Sequence, residues 1–169
     1  LFEYAKEIGI TLFSTPFDKT AVDLLESLES PAYKIASFEL TDIPLIKLVA
    51  QTKKPILMST GMASENEIEE AVITARDSGC ESLLLFHCIS SYPATTERSN
   101  INYIKKLRQK FNVEVGLSDH TLNNTAAISA IALGASAIEK HFTIDKSTGP
   151  DSQFSLNLEE LKDLVKISK

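Results

Sequence analysis

The sequence predicts an α/β fold of the TIM (β/α)8 barrel class, and three observations support this prediction. Short apolar runs with strand character alternate along the 169-residue chain with segments of helical periodicity. These strand–helix units repeat every roughly 20–30 residues, which is the spacing of a (β/α) barrel. Most of the strand-like runs end in hydroxyl-bearing or ionisable residues, and barrel enzymes carry their active sites at that end of their strands.

Six strands are predicted, each a β-prone apolar run bounded by turn residues. They cover residues 10–14, 32–36, 55–58, 82–87, 113–117 and 135–140. A closed barrel needs eight strands, so two more are expected upstream of Leu1, and residues 1–169 are interpreted as one partial barrel domain. An open doubly wound sheet is the alternative, although the Gly-rich turn that it usually carries is not found.

Helical segments separate these strands, and capping residues mark several of their ends. The helices are predicted at residues 1–8, 19–28, 65–78, 102–111 and 122–133, and from 158 onward. A further helix, capped by Asp42 or Thr41 and with Pro44 in its first turn, is predicted to run to about Gln51. Asp18 is a good N-cap for the second helix, and Ser64 followed by Glu67 forms a capping box before the fourth.

Composition argues against several classes of function. The net charge of -6 argues against nucleic acid or an anionic membrane as a partner. No apolar run approaches the ~20 residues of a membrane span, and the first residues lack the layout of a signal peptide. Cys80 and Cys88 have no metal-binding spacing, so we expect reduced thiols in a cytoplasmic protein.

The residues able to do chemistry gather at the C-terminal ends of the predicted strands. They are Thr15, Ser37, Ser59, Ser90, Tyr92, Ser118, His120 and His141. Hydroxyl groups at one barrel mouth, with backbone N–H groups near them, can hold a phosphate or a carboxylate. Lys34 lies inside a strand, so it either meets an anion or sits at the rim with its ammonium group in water.

His120 and His141 follow successive strands and could share one metal ion. The residues alone leave a second interpretation open, with one capping or core histidine and one surface histidine. Asp119 and Glu139 are predicted to orient the imidazoles. Two histidines without a nearby cysteine suit Mn²⁺ or a similar ion with open positions for water or substrate. His87, after a run of Leu and Phe, is expected to be a hydrogen-bonded core residue.

Seven ordered motifs resemble the sialic acid synthase (NeuB-like) family. They are FSTPFD at 13–18, YKIAS at 33–37, STGM at 59–62, HC at 87–88 with YP at 92–93, GLSDH at 116–120, IEKHFT at 138–143 and GPD at 149–151. The resemblance implies an enzyme that condenses phosphoenolpyruvate with an N-acetylated amino sugar. It also implies strands three to eight of the barrel, a homodimer, and a C-terminal antifreeze-like domain outside this chain.

The same resemblance implies roles for individual residues. His120 and His141 match the metal ligands, for Mn²⁺ most often, with Mg²⁺ or Co²⁺ as alternatives. Contacts to phosphoenolpyruvate are implied for Thr15, Lys34, Ser37, Ser59, Ser90, Tyr92 and Ser118. Glu39 and Asp151 fall at acceptor-sugar positions, and Glu39 and Lys34 are the candidate catalytic residues. Ser90 stands where many relatives carry Asn, which leaves its role open.

Two features favour the pseudaminic acid synthases within this family, namely Phe38 and the segment GPDSQFS at 149–155. An N-acetylneuraminate or legionaminic acid synthase is the alternative. Another metal-dependent barrel that uses phosphoenolpyruvate and a non-catalytic sugar-binding remnant are further hypotheses. The family's general base and a partner's arginine are expected outside residues 1–169, so this piece alone is expected to be inactive.

Overall fold

The computed structural model describes all residues from 1 to 169 and contains two compact units, Leu1–Leu84 and Leu85–Lys169. Its sheet has five strands in the order β1-β2-β3-β4-β5, the same order as in the chain. They are β1 (Tyr33–Ile35), β2 (Ile56–Ser59), β3 (Leu83–Cys88), β4 (Glu114–Ser118) and β5 (Ile138–Glu139). The β1–β2 and β4–β5 pairs are parallel. Parallel neighbours that follow each other in the chain require a crossover between them, which the helices supply.

The first unit contains β1, β2 and four helices, α1 (Phe2–Glu7), α2 (Lys19–Ser27), α3 (Ile43–Ala50) and α4 (Glu65–Asp77). The N-terminal caps of α2 and α4 are as the sequence predicts. The Asp18 carboxylate accepts the backbone N–H of Ala21 at 2.8 Å, and Ser64 and Glu67 form the reciprocal capping box of α4. The strands and helices bury an apolar core that includes Ile35, Leu40, Ile46, Val49, Ile56, Met58 and Ile68.

The second unit contains most of β3, all of β4 and β5, and the helices α5 (Tyr103–Phe111), α6 (Thr125–Ala132) and α7 (Leu158–Ile167). Its α7 begins with a second capping box, formed by Asn157 and Glu160. Ala127, Leu156 and Leu164 form a buried cluster against which β5 and α7 pack. None of the helices in the structure has both the length and the apolar character needed to cross a membrane.

The first of the six predicted strands is wrong. Residues 10–14 form no strand, and only Ser14 makes a single parallel bridge, to Tyr33. In this structure the run has one bridging neighbour, and Ile10 is 61% exposed. The expected six strand–helix units are therefore five strands and one bridge.

The start of α6 also differs from the prediction. The helix begins at Thr125 rather than at residue 122. The Asn123 side chain accepts the N–H of Thr125 at 3.0 Å, and the Thr121 hydroxyl donates to the Asn123 carbonyl at 2.9 Å. These local side-chain bonds compete with the helical pattern and delay the first turn.

Candidate active site

Four ring side chains of the second unit meet in one cluster, which we call the ring cluster: Tyr92, His120, His141 and Phe154. The His120 and His141 ring centroids lie 5.3 Å apart. Tyr92 lies 4.3 Å from His120, and Phe154 lies 5.0 Å from His141. The two histidines come close because they follow β4 and β5, which are parallel neighbours whose C-terminal ends lie side by side.

His120 is held in a form that suits metal binding. Its Nδ1 lies 3.0 Å from the carbonyl oxygen of Ile89. A carbonyl oxygen only accepts hydrogen bonds, so Nδ1 carries the proton and the lone pair of Nε2 stays available. Burial lowers the pKa of His120, which favours the neutral imidazole that a metal ion requires.

His141 has an acceptor at the same ring atom. Its Nδ1 lies 3.4 Å from Oδ2 of Asp151, a contact longer than a strong hydrogen bond. The loop that carries this carboxylate is braced locally, because the Ser155 hydroxyl donates to the Asp151 carbonyl at 2.7 Å. The Asp151 side chain is 56% exposed, so it also remains open to a ligand.

The predicted direct contact of the Asp119 carboxylate with an imidazole is wrong. Its Oδ2 lies 3.0 Å from Nζ of Lys140, and its Oδ1 accepts the N–H of Thr121 at 2.9 Å. Both carboxylate oxygens of Asp119 are thus bonded to groups other than an imidazole. The Ile89 carbonyl and the Asp151 carboxylate are instead the acceptors at the two Nδ1 atoms. The Glu139 carboxylate accepts the Ser118 hydroxyl at 2.7 Å.

The protein side of a metal site here consists of two imidazole nitrogens. No group of three or more His, Cys, Asp or Glu side chains is arranged to hold a metal ion. Two nitrogen ligands would leave several positions for water or substrate oxygen, which suits Mn²⁺ or a similar ion. The Ile89 carbonyl at Nδ1 of His120 leaves Nε2 of that ring available as a ligand, the His141 ring lies 5.3 Å away, and the two imidazoles fit such an ion.

The remaining predicted residues of the second unit lie at strand ends beside the ring cluster or just beyond them. Ser118 ends β4 and is 4% exposed. Ser90 lies two residues beyond β3 and is half-buried. Tyr92 is half-exposed, and burial together with Cys88, Glu139 and Asp151 raises the pKa of its hydroxyl.

The first unit holds two buried oxygen atoms without hydrogen-bond partners. They are Oγ of Ser59, the last residue of β2, and Oε2 of Glu39, which lies in the short 3-10 helix Ser37–Thr41. The Ser59 residue is only 3% exposed. An unpaired buried polar atom costs about 1–3 kcal/mol, so both atoms are candidates for ligand contacts.

The other predicted residues of the first unit lie near these strand ends. The Ser37 hydroxyl accepts the backbone N–H of Gly61 at 3.1 Å. Lys34 alternates along β1 with two fully buried residues, so its side chain leaves the opposite face of the strand. Thr15 follows the Ser14 bridge and is half-buried. An open cavity of about 600 Å³ in this unit, between α1 and residues 27–31, is lined by none of the predicted residues.

Sequence reasoning missed two residues of the second unit. Phe154 joins the ring cluster, and an aromatic residue inside an otherwise polar Gly-Pro-Asp-Ser loop was its signal. Lys140 has a side chain that is only 4% exposed. A lysine in a buried strand needs an anion, and this holds for Lys140 as it does for Lys34.

Comparisons with known proteins agree over the whole chain. The profile of the NeuB family matches residues 1–169. An uncharacterized protein of Methanocaldococcus jannaschii is 51% identical over 98% of the chain and 49% of its own length. The pseudaminic acid synthase of Helicobacter pylori is 44% identical over 100% of the chain and 50% of its own length.

A third relative and a solved structure extend this agreement. The N,N'-diacetyllegionaminic acid synthase of Campylobacter jejuni is 43% identical over 96% of the chain and 49% of its own length. The crystal structure of the spore coat polysaccharide biosynthesis protein SpsE of Bacillus subtilis superposes with a TM-score of 0.95 at 40% identity, over 99% of this chain and 48% of that one. The chain thus spans about half the length of the relatives that it matches.

Proposed function

The chain belongs to the NeuB family, and from this premise we propose that the protein is a nonulosonic acid synthase. It condenses phosphoenolpyruvate with an N-acetylated amino sugar and releases phosphate. The observation that carries the proposal is the meeting of the His120 and His141 rings at 5.3 Å, with Nε2 of His120 left available for a metal ion by the Ile89 carbonyl at Nδ1. Relatives named as pseudaminic and legionaminic acid synthases at 43% identity or more support it.

The phosphate and carboxylate of phosphoenolpyruvate need hydrogen-bond donors and positive charge. The unpaired Ser59 hydroxyl is buried at a strand end and supplies a donor that the protein itself leaves unused. The Lys34 ammonium group supplies positive charge for the substrate and for the departing phosphate. The hydroxyl groups that complete this proposed set are those of Thr15, Ser37, Ser90, Tyr92 and Ser118. The Ser118 hydroxyl donates to Glu139 in this structure, so it would have to turn from that carboxylate to donate to the substrate.

The reaction forms one carbon–carbon bond and replaces the bond from C2 to the phosphate oxygen by a bond from C2 to a water oxygen. C3 of phosphoenolpyruvate attacks the aldehyde carbon of the open-chain sugar, water adds to C2, and phosphate leaves with its bridging oxygen. A divalent ion, Mn²⁺ by preference, would supply Lewis acidity for the aldehyde oxygen. His120 and His141 would hold that ion. The raised pKa of Tyr92 keeps its hydroxyl protonated, so it acts as a donor.

The acceptor sugar is proposed to be the 6-deoxy, di-N-acetylated altrose of pseudaminic acid synthesis. Phe154 packs against both rings, tilted to Tyr92 and edge-on to His141, and gives the site an apolar wall. A sugar that carries a methyl group in place of a hydroxyl group gains from such a wall. The Asp151 carboxylate on the same loop, and the unpaired oxygen of Glu39, are proposed to accept hydrogen bonds from sugar hydroxyl or amide groups.

Phosphate release from phosphoenolpyruvate by the full-length protein tests the proposal. The assay contains Mn²⁺ and offers N-acetylmannosamine and the di-N-acetylated altrose in parallel. We expect release with the altrose, loss of release in His120→Gln, and retention in the matched control His87→Gln, whose ring contacts Tyr103 outside the ring cluster. Release with N-acetylmannosamine alone would move the assignment to an N-acetylneuraminate synthase. Equal release by both histidine variants would support a role for the chain that does not involve the metal.

A further inference from the structure

The second unit contains a buried ion pair directly beside the two histidines. Nζ of Lys140 lies 3.0 Å from Oδ2 of Asp119, and the side chains are 4% and 1% exposed. Lys140 also donates to the carbonyl oxygens of Thr121 at 2.8 Å and Asn123 at 3.3 Å. The ammonium group therefore uses all three of its N–H bonds, and the pair is fully satisfied inside the protein.

Stability alone is a weak reason for this pair. Removing two charges from water costs free energy that their attraction often does not recover, and apolar residues of similar volume can replace such pairs without loss of stability. The position of the pair in the chain suggests a different role. Asp119 immediately precedes His120, and Lys140 immediately precedes His141.

The backbone ladder between β4 and β5 ends just before the histidines. Its last hydrogen bond runs from Asp119 N to Glu139 O at 2.9 Å. Beyond it the two segments bond to other parts of the chain, since the carbonyl of His120 accepts from Ala94 N and the carbonyl of His141 accepts from Leu156 N. The Asp119–Lys140 pair thus continues the connection between the two segments by one residue, where backbone pairing has stopped.

We propose that Asp119 and Lys140 are positioning residues, which fix the separation of His120 and His141 and so set the affinity of the site for its divalent ion. This inference rests on the proposed function. The positioning role and simple electrostatics predict opposite changes in cation affinity. Removal of the Lys140 charge should strengthen cation binding through space, whereas loss of the connection between the two segments should weaken it.

Titration of the full-length protein with Mn²⁺ alone, by isothermal calorimetry, tests the proposal. The variants are Lys140→Met, which keeps most of the aliphatic stem, and the charge-neutral double variant Asp119→Leu/Lys140→Met. We expect the Kd for Mn²⁺ to rise about 10- to 100-fold in both, the usual effect of losing a group that orients metal ligands. The control Lys146→Met breaks the exposed pair with Glu160 in the same unit and should leave the Kd unchanged.

Each result has a defined meaning. Unchanged or tighter Mn²⁺ binding in folded Lys140→Met, with wild-type circular dichroism, overturns the positioning role and leaves the proposed function intact. If the unpaired Asp119 carboxylate prevents folding of Lys140→Met, the Kd of the double variant for Mn²⁺ provides the same test. Loss of folding in both overturns a role confined to the metal site. A wild-type protein that neither binds Mn²⁺ nor releases phosphate overturns the proposed function itself.

Discussion

Replacement of Gly116 by alanine should destabilise the centre of β4. Gly116 is buried in the strand that leads to Ser118 and His120. A Cβ atom at this position would lie 2.6 Å from the carbonyl oxygen of Ala137 and 2.7 and 2.8 Å from two ring carbons of Phe86. Non-bonded carbon atoms prefer about 3.5–4.0 Å, so all three contacts are repulsive.

The cost can be bounded from these neighbours. Overpacking of a core by one carbon typically costs about 1–3 kcal/mol. Phe86 is 3% exposed and cannot swing into solvent. The Ala137 carbonyl accepts the N–H of Leu117 at 2.9 Å, so it cannot withdraw without weakening the β4–β5 ladder. We therefore expect the upper part of this range, about 2–3 kcal/mol.

Urea unfolding followed by circular dichroism measures the effect, with amide hydrogen exchange over 113–121 as a local readout. The midpoint should fall at constant slope, and exchange at Leu117 should accelerate. The double variant Phe86→Leu/Gly116→Ala is the matched test, because Leu removes the ring but leaves the carbonyl contact. It should cost less than the sum of the single variants by about 1 kcal/mol. Strict additivity, or an unchanged midpoint for Gly116→Ala, would refute the packing argument.

Two further predictions concern one residue each. Burial lowers the pKa of His87 below the 6.5 of the unfolded chain. As the pH falls, the unfolded state therefore takes up a proton before the folded state does. The stability that neutral His87 contributes is complete above about pH 6.5 and declines below it. Between pH 7 and pH 5 the melting temperature should therefore fall less steeply in His87→Gln than in wild type. Equal slopes of melting temperature against pH would contradict this. Ser59→Ala removes a buried hydroxyl without a partner, so the melting temperature should stay equal or rise. The KM for phosphoenolpyruvate should rise about 10-fold, because one charge-assisted hydrogen bond is lost. A lower melting temperature with an unchanged KM would show that the hydroxyl serves the fold rather than the substrate.

Local sequence signals predicted most of the secondary structure. The predicted capping residues Asp18 and Ser64 each mark a helix start in the structure. Such caps are readable because the donor and acceptor lie within three residues of each other. The run at residues 10–14 was misjudged, since strand formation depends on a neighbour and on burial that the local sequence does not contain.

The sequence by itself determined the order of the strands and helices, the family motifs and the choice of His120 and His141 as candidate metal ligands. The tertiary structure alone decided which partner each polar group has. Asp119 was expected at an imidazole and instead pairs with Lys140, while a backbone carbonyl, that of Ile89, takes the place at His120. Phe154 reaches His141 from a loop beyond β5. These contacts depend on distances of a few ångströms between residues far apart in the chain, and side-chain direction and packing fix such distances only after the strands have come together.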